Sequence, residues 1–359
     1  METNNEIKNR YSLEQYLIPL WESAVVYNES VMPLENPDGT LDPIRLLYPA
    51  EQIRCVSDAL LEIVYKEGSD YRLEDGKLVI LPDGAIPTIS YRSYYPEEAV
   101  PHGTFPRTGG GYVAFSEGPV FHKMQLAVTY THSGAWDGPI PPAKGRLLSE
   151  ALSKLENGRP FKILLYGDSI TVGANASGFV GAPPFMPCYG ELVTEALRRQ
   201  YRNAEIYSVN TAKGGMGSHW GVTHAEDLAA VHAPDLAVIA FGMNDGAPSI
   251  HTPPEIFAEN IKTIMDAIRR TAPSCAFVLV STMLPNYEAS DFPGTYEAFL
   301  PYLLQLEASV PGTAVADMTS IHRYLLTRKR YCDMTGNNVN HPNDFLSRFY
   351  AQVILAALS

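Results

Sequence analysis

An apolar run of strand length, Phe161-Lys-Ile-Leu-Leu-Tyr166, stops at Gly167, and the next two residues are Asp168 and Ser169. A serine just beyond a buried strand, on a turn opening toward a helix, stands where open α/β sheets place their ligands. Alone, such a serine is usually an N-cap for the following helix. As a nucleophile it needs a base, because a hydroxyl is a poor nucleophile at its own pKa. His341 is the candidate. It sits in the turn-rich loop Gly336-Asn-Asn-Val-Asn-His-Pro-Asn-Asp344, ahead of the C-terminal helix. Attack on a carbonyl also needs donors for the oxyanion. Two segments beyond strand ends offer them: the glycine-bearing Val209–Ser218 stretch, and Gly242-Met-Asn-Asp245 with the Asn244 amide.

These groups need a scaffold. From Phe161 onward the chain alternates strand and helix, with strands expected at 161–166, 204–209, 236–241, 276–281 and 313–316. Helical windows lie near 191–201, 222–231, 254–270, 296–309 and from 345 to the end. In the 254–270 window Phe257, Ile261, Ile264, Met265 and Ile268 recur at helical spacing. Near-continuous apolar strands alternating with helices predict a parallel sheet covered on both faces. Upstream, short apolar runs at 61–65, 71–73, 78–81 and 124–130 are broken by turns. Asp75-Gly76 is a hairpin signal and Asp83-Gly84 marks the next turn. This rhythm predicts a β-sandwich. The expected organisation is a jelly-roll-like β-sandwich over 1–140, a linker and connecting helix over 141–160, and an α/β domain over 161–359.

Gly167-Asp-Ser-Ile, Gly215 after Val209-Asn210, Gly242-Met-Asn-Asp and Asn340-His-Pro occur in this order over about residues 160–359. Together they resemble the SGNH (GDSL-type) hydrolase superfamily. The resemblance implies a flavodoxin-like three-layer α/β/α fold with a five-stranded parallel sheet. It implies esterase, lipase, acetylhydrolase or carbohydrate-deacetylase activity. It makes Ser169 the nucleophile, His341 the base, and Ser169 N–H, Gly215 N–H and the Asn244 side chain the oxyanion hole. The β-rich region is loosely similar to that of carbohydrate esterases with a preceding sandwich. The serine context is not G-x-S-x-G, which argues against an α/β-hydrolase elbow. One position departs: three residues before the histidine, where the family commonly has an acid, stands Asn338. Either Asn338 Oδ1 or a backbone carbonyl orients His341, or Asp333 substitutes as the acid, or the enzyme is slow.

Composition narrows the partners. The 359 residues carry a net charge of −13, with 45% hydrophobic and 19% charged residues. Nucleic acid and anionic membrane are therefore not expected as partners; a small-molecule or carbohydrate ester is, and homo-oligomer formation is left open. Cys55, Cys188, Cys275 and Cys332 form no C-x-x-C pair. His219 and His224 have no partner at metal-ligand spacing, so neither is given a ligand role, and the serine-esterase chemistry needs no metal or organic cofactor. No apolar h-region or membrane span is read, so a cytoplasmic location is expected. Tyr91, Tyr94 and Tyr95 either stack on sugars or, more simply, pack in strands. Trp220 either lines the cleft or packs. Asp168 and Asp245 are expected to fix their turns, and Arg198-Arg199 and Arg269-Arg270 to lie on solvated helix faces. The reading is a serine esterase removing small acyl groups, O-acetyl above all, from a carbohydrate through an acyl-enzyme. The alternatives are a lipase or lysophospholipase, and a weakly active or non-catalytic glycan-binding member.

Overall fold

The computed structural model describes residues 11–359. In the β-rich part the strands are β1 (Val25–Val31), β2 (Gln52–Asp58), β3 (Val64–Tyr65), β4 (Tyr71–Glu74), β5 (Lys77–Ile80), β6 (Thr104–Pro106), β7 (Tyr112–Ala114) and β8 (Leu126–Thr131). Four of them form an antiparallel sheet in the order β1-β8-β2-β3, and β4-β5 and β6-β7 are separate hairpins. The β4-β5 turn is the Asp75-Gly76 pair. Both residues have positive φ (48° and 74°), the backbone that a two-residue hairpin turn demands. Strands β1 and β2 escape the sequence reading because polar residues (Asn28, Glu29, Arg54, Ser57) interrupt their apolar pattern. Tyr91–Tyr94 is one turn of helix, capped by Ser90, not a strand.

The second part is a five-stranded, all-parallel sheet made of β9 (Phe161–Gly167), β10 (Ile206–Asn210), β11 (Leu236–Ala240), β12 (Ala276–Val280) and β13 (Thr313–Ala316). Its order is β10-β9-β11-β12-β13, the flavodoxin-like order. Successive side chains of a strand point to opposite faces, and two apolar clusters follow. Ile163, Leu165, Val238, Val278 and Val280 pack with the helices 149–156, 189–200 and 344–358. Leu164, Tyr166, Ile239, Phe277 and Leu279 pack with the helices 254–271 and 299–309. The chain leaves β9 to one side and crosses back to β11. The crevice at this switch point lies beyond the carboxyl ends of β9 and β11, where Asp168-Ser169 and Met243-Asn244 follow.

The two parts share a core. Val26, Val31, Val56, Val128 and Tyr130 of the antiparallel sheet belong to the same apolar cluster as Phe345, Leu346 and Phe349 of the C-terminal helix. Across this contact Lys329 and Glu29 form an ion pair with both side chains fully buried. Glu29 also accepts from Leu47 N–H (2.8 Å) and the Tyr130 hydroxyl (2.6 Å). No described helix is long and apolar enough to cross a membrane.

Candidate active site

Strand β9 is buried along nearly its whole length and ends at Gly167. A side chain there would meet the Ala240 carbonyl oxygen at 2.3 Å, so the close approach of β11 requires glycine. Asp168 caps the single helical turn Ser169–Val172: its Oδ1 accepts from Ile170 N–H at 3.0 Å and its Oδ2 from Met243 N–H at 3.3 Å. One carboxyl group thus ties the serine turn to the turn after β11. Burial pushes the Asp168 carboxyl up to about 7, with the nearby Asp245 charge adding to it against the two N–H bonds.

Ser169 Oγ lies 2.8 Å from His341 Nε2. The histidine is held by its own loop. Asn337 Oδ1 accepts the backbone N–H groups of Val339, Asn340 and His341 at 3.0–3.1 Å, and Gly336 N–H donates to His341 O at 2.9 Å. On the far side of the ring, Nδ1 is 2.6 Å from Asn175 Oδ1 and 2.9 Å from Asn337 Nδ2. The amide orientations decide between these. Asn337 Nδ2 also faces Glu117 Oε1 (3.2 Å) and Asn340 Oδ1 (2.9 Å), acceptors enough for both its hydrogens. Asn175 Nδ2 donates to Gly118 O at 3.1 Å, which turns its oxygen to the ring. Nδ1 therefore carries the proton toward Asn175, and Nε2 is left to accept from the serine, the tautomer a general base requires.

Gly215 has φ +77° and a Cβ there would meet nothing within 4 Å. The left-handed backbone, not lack of space, makes glycine suitable. The Asn244 amide donates to Met216 O at 3.1 Å, which anchors it and leaves a second hydrogen. Asp245, fully buried, joins the two loops: it accepts from Ser218 N–H (2.9 Å to each oxygen), Ser218 Oγ (2.5 Å) and Thr252 Oγ1 (3.1 Å). Ser169, Gly214, Gly215, Asn244 and His341 line one cleft of about 380 Å³, whose walls include Phe105, Phe115 and Phe292. Phe105 packs edge-on against both other rings, at 5.0 and 5.1 Å.

Asn338 is not brought to the imidazole. It is fully buried and turned the other way: Oδ1 accepts from Tyr94 OH (2.5 Å) and Asn286 Nδ2 (3.3 Å), and Nδ2 donates to Ala114 O (2.8 Å). Its φ of +75° aims it there. Nor does Asp333 swing toward the histidine; it is bound by Arg330 (3.0 Å) and by Met32 N–H (2.8 Å), hooking the loop onto the β-rich part. The groups at His341 Nδ1 are Asn175, Asn337 and Glu117, whose Oε2 is 3.4 Å away. None was singled out from sequence. Asn175 carries one signal, an asparagine two residues past the Gly173 that ends the serine turn, with φ +64°. Glu117 carries none, since its contact spans more than two hundred residues. Tyr94 packs inside, while Tyr91 and Tyr95 form a pair at 4.8 Å. The Trp220 ring packs against that of His224, with centroids 4.7 Å apart and the planes tilted by 39°. Among the described residues no group of three or more His, Cys, Asp or Glu side chains is placed to hold a metal ion.

The family model for GDSL-like lipases and acylhydrolases matches residues 165–345, half of the chain. The chain belongs to the GDSL-like lipase/acylhydrolase family. No curated protein matches it. Solved structures similar to this GDSL-family chain include a two-domain esterase active on acetylated mannans (22% identity, 61% of this chain and 54% of that one, TM-score 0.47). Others are the acetylxylan esterase Axe2 of Geobacillus stearothermophilus (16%, 55% and 94%, TM-score 0.46) and a lipase/acylhydrolase of Enterococcus faecalis (20%, 54% and 93%, TM-score 0.42). The chain spans about half the length of the two-domain esterase.

Proposed function

We propose that this protein is a serine esterase that removes small acyl groups, acetyl above all, from a carbohydrate. The observation that carries the reading is the 2.8 Å contact between Ser169 Oγ and a His341 whose proton sits on Nδ1, at a cleft that also holds Gly215 and Asn244. Ser169 Oγ attacks the ester carbonyl carbon while Nε2 takes its proton. The oxyanion is held by Ser169 N–H, Gly215 N–H and the free hydrogen of Asn244. The tetrahedral intermediate collapses, the C–O bond to the alcohol breaks, and the alcohol leaves with the proton from Nε2. Water then attacks the acyl-enzyme, losing its proton to the same nitrogen; the bond from the acyl carbon to Oγ breaks, Nε2 returns the proton to Oγ, and the carboxylic acid leaves.

The cleft's size supports a small ester: about 380 Å³ is near the lower end of ligand pockets. Its phenylalanine wall suits the C–H face of a sugar ring. The same wall favours a second reading, a lipase-type acylhydrolase with the acyl chain laid on the three rings. The four cysteines are unpaired, three of them buried, which fits a cytoplasmic location. Hydrolysis of nitrophenyl acetate by wild type and Ser169→Ala tests the mechanism. Turnover should fall by roughly a thousandfold or more, and comparable activity in the variant would refute the nucleophile assignment. A nitrophenyl ester series separates the two substrate readings: rates that rise with chain length favour the lipase.

A further inference from the structure

The segment Ala114–His122 of the β-rich part crosses onto the α/β domain and is clamped at three points. Ala114 O accepts from Asn338 Nδ2 (2.8 Å), Gly118 O from Asn175 Nδ2 (3.1 Å), and His122 Nε2 lies 2.8 Å from Pro183 O. Between the first two clamps stands Glu117. Its Oε1 accepts from Asn337 Nδ2 at 3.2 Å, and its Oε2 lies 3.4 Å from His341 Nδ1. The carboxylate and the Asn175 amide oxygen therefore face the same ring nitrogen, from two loops that are bonded to each other.

From this juxtaposition we infer that the work of the usual triad acid is divided: Asn175 sets the tautomer and orientation of His341, and Glu117, delivered by the β-rich part, supplies the charge that stabilises the imidazolium. The inference rests on the Ser169–His341 reading above and adds two positioning residues to it. When Nε2 takes the serine proton, a positive charge forms on the ring. An amide oxygen can hold the Nδ1 proton but brings no net charge to offset it. Burial would raise the Glu117 carboxyl, yet its hydrogen bond and charge interaction with His341, joined by Asn337 and Asn175, hold it below the ordinary glutamate value. It is anionic at neutral pH. The side chain is 54% exposed, so water screens it and its effect is far smaller than that of a buried triad aspartate.

The test uses the full-length protein and nitrophenyl acetate. In Glu117→Gln, kcat should fall about tenfold with KM within about twofold. The acid limb of the pH–rate profile should move about half a unit or more to lower pH, because a charge favouring the protonated ring is gone. Glu117→Asp keeps the charge at shorter reach and should keep the wild-type limb with a smaller loss. A half-exposed side chain can be changed without unfolding, so both variants should melt with wild type. Should the Gln variant melt early, the Asp variant decides: a wild-type limb supports the inference, and a limb shifted to lower pH overturns it. Unchanged kcat and limb in Glu117→Gln overturn it too, as do equal losses in both variants with no limb shift. Ser169→Ala keeps the two claims apart. If that variant is dead while Glu117→Gln matches wild type, only the division of roles fails.

Discussion

Replacing Asn338 by aspartate would restore, on paper, the acid that the GDSL family commonly carries three residues before its histidine. In the folded protein the side chain points away from His341, and the substitution should cost stability and return no rate. Its Oδ1 already accepts from Tyr94 OH and Asn286 Nδ2 and could go on doing so. The other atom, now an amide nitrogen donating to Ala114 O at 2.8 Å, would become an oxygen facing an oxygen. The site is fully buried, so a lost donor and an unmatched acceptor cost about 1–3 kcal/mol, and the desolvated charge adds to this. A total of about 2–4 kcal/mol is expected once the carboxyl is ionised in the folded state. Burial would raise the new carboxyl's pKa in the folded state above its unfolded value of about 3.9. The variant should therefore come closest to wild type below about pH 4 and lose ground as pH rises. Urea melts at several pH values measure this, and nitrophenyl acetate kinetics measure the rate. A tenfold rise in kcat with unchanged stability would show that the position reaches His341 after all, and would undo the assignment of Asn175 and Glu117.

Two further outcomes follow from buried charge elsewhere. The Asp168 carboxyl, raised to about 7 by burial and the Asp245 charge, contributes stability that is full below about pH 4 and lost as pH rises through about 7. Thermal melts should show wild type losing stability across that window and Asp168→Asn losing less; parallel curves would contradict the assignment. Lys329→Met strands the Glu29 carboxylate, whose remaining partners are Leu47 N–H and Tyr130 OH. A loss of about 3–5 kcal/mol in urea denaturation is expected, and a change below about 1 kcal/mol would show that the pair does not fasten the two parts.

The parallel sheet was legible because its strands are buried on both faces. Ile163 to Tyr166 and Leu236 to Phe241 read as apolar runs whatever lies around them, and the amphipathic helix at 254–271 carries its stripe in the sequence. The β-rich part was harder. Strand β1 keeps Glu29 inside because Lys329, three hundred residues away, neutralises it, so its pattern does not alternate. The short helix at Tyr91–Tyr94 hides in residues that favour strands, because the Tyr94 hydroxyl has a buried partner in Asn338.

By itself the sequence determined the serine, the histidine, the glycine and asparagine blocks and the sheet that carries them, since each sits in a local pattern of strand end, turn or helix start. What turns the imidazole was decided only by tertiary structure. Asn338 stands at the expected spacing yet is rotated by its left-handed backbone to Tyr94 and Ala114. The groups that do reach Nδ1 come from the loop after the serine turn and from a segment of the β-rich part. Side-chain direction depends on backbone dihedrals and on the packing of distant segments, and neither leaves a spacing in the chain.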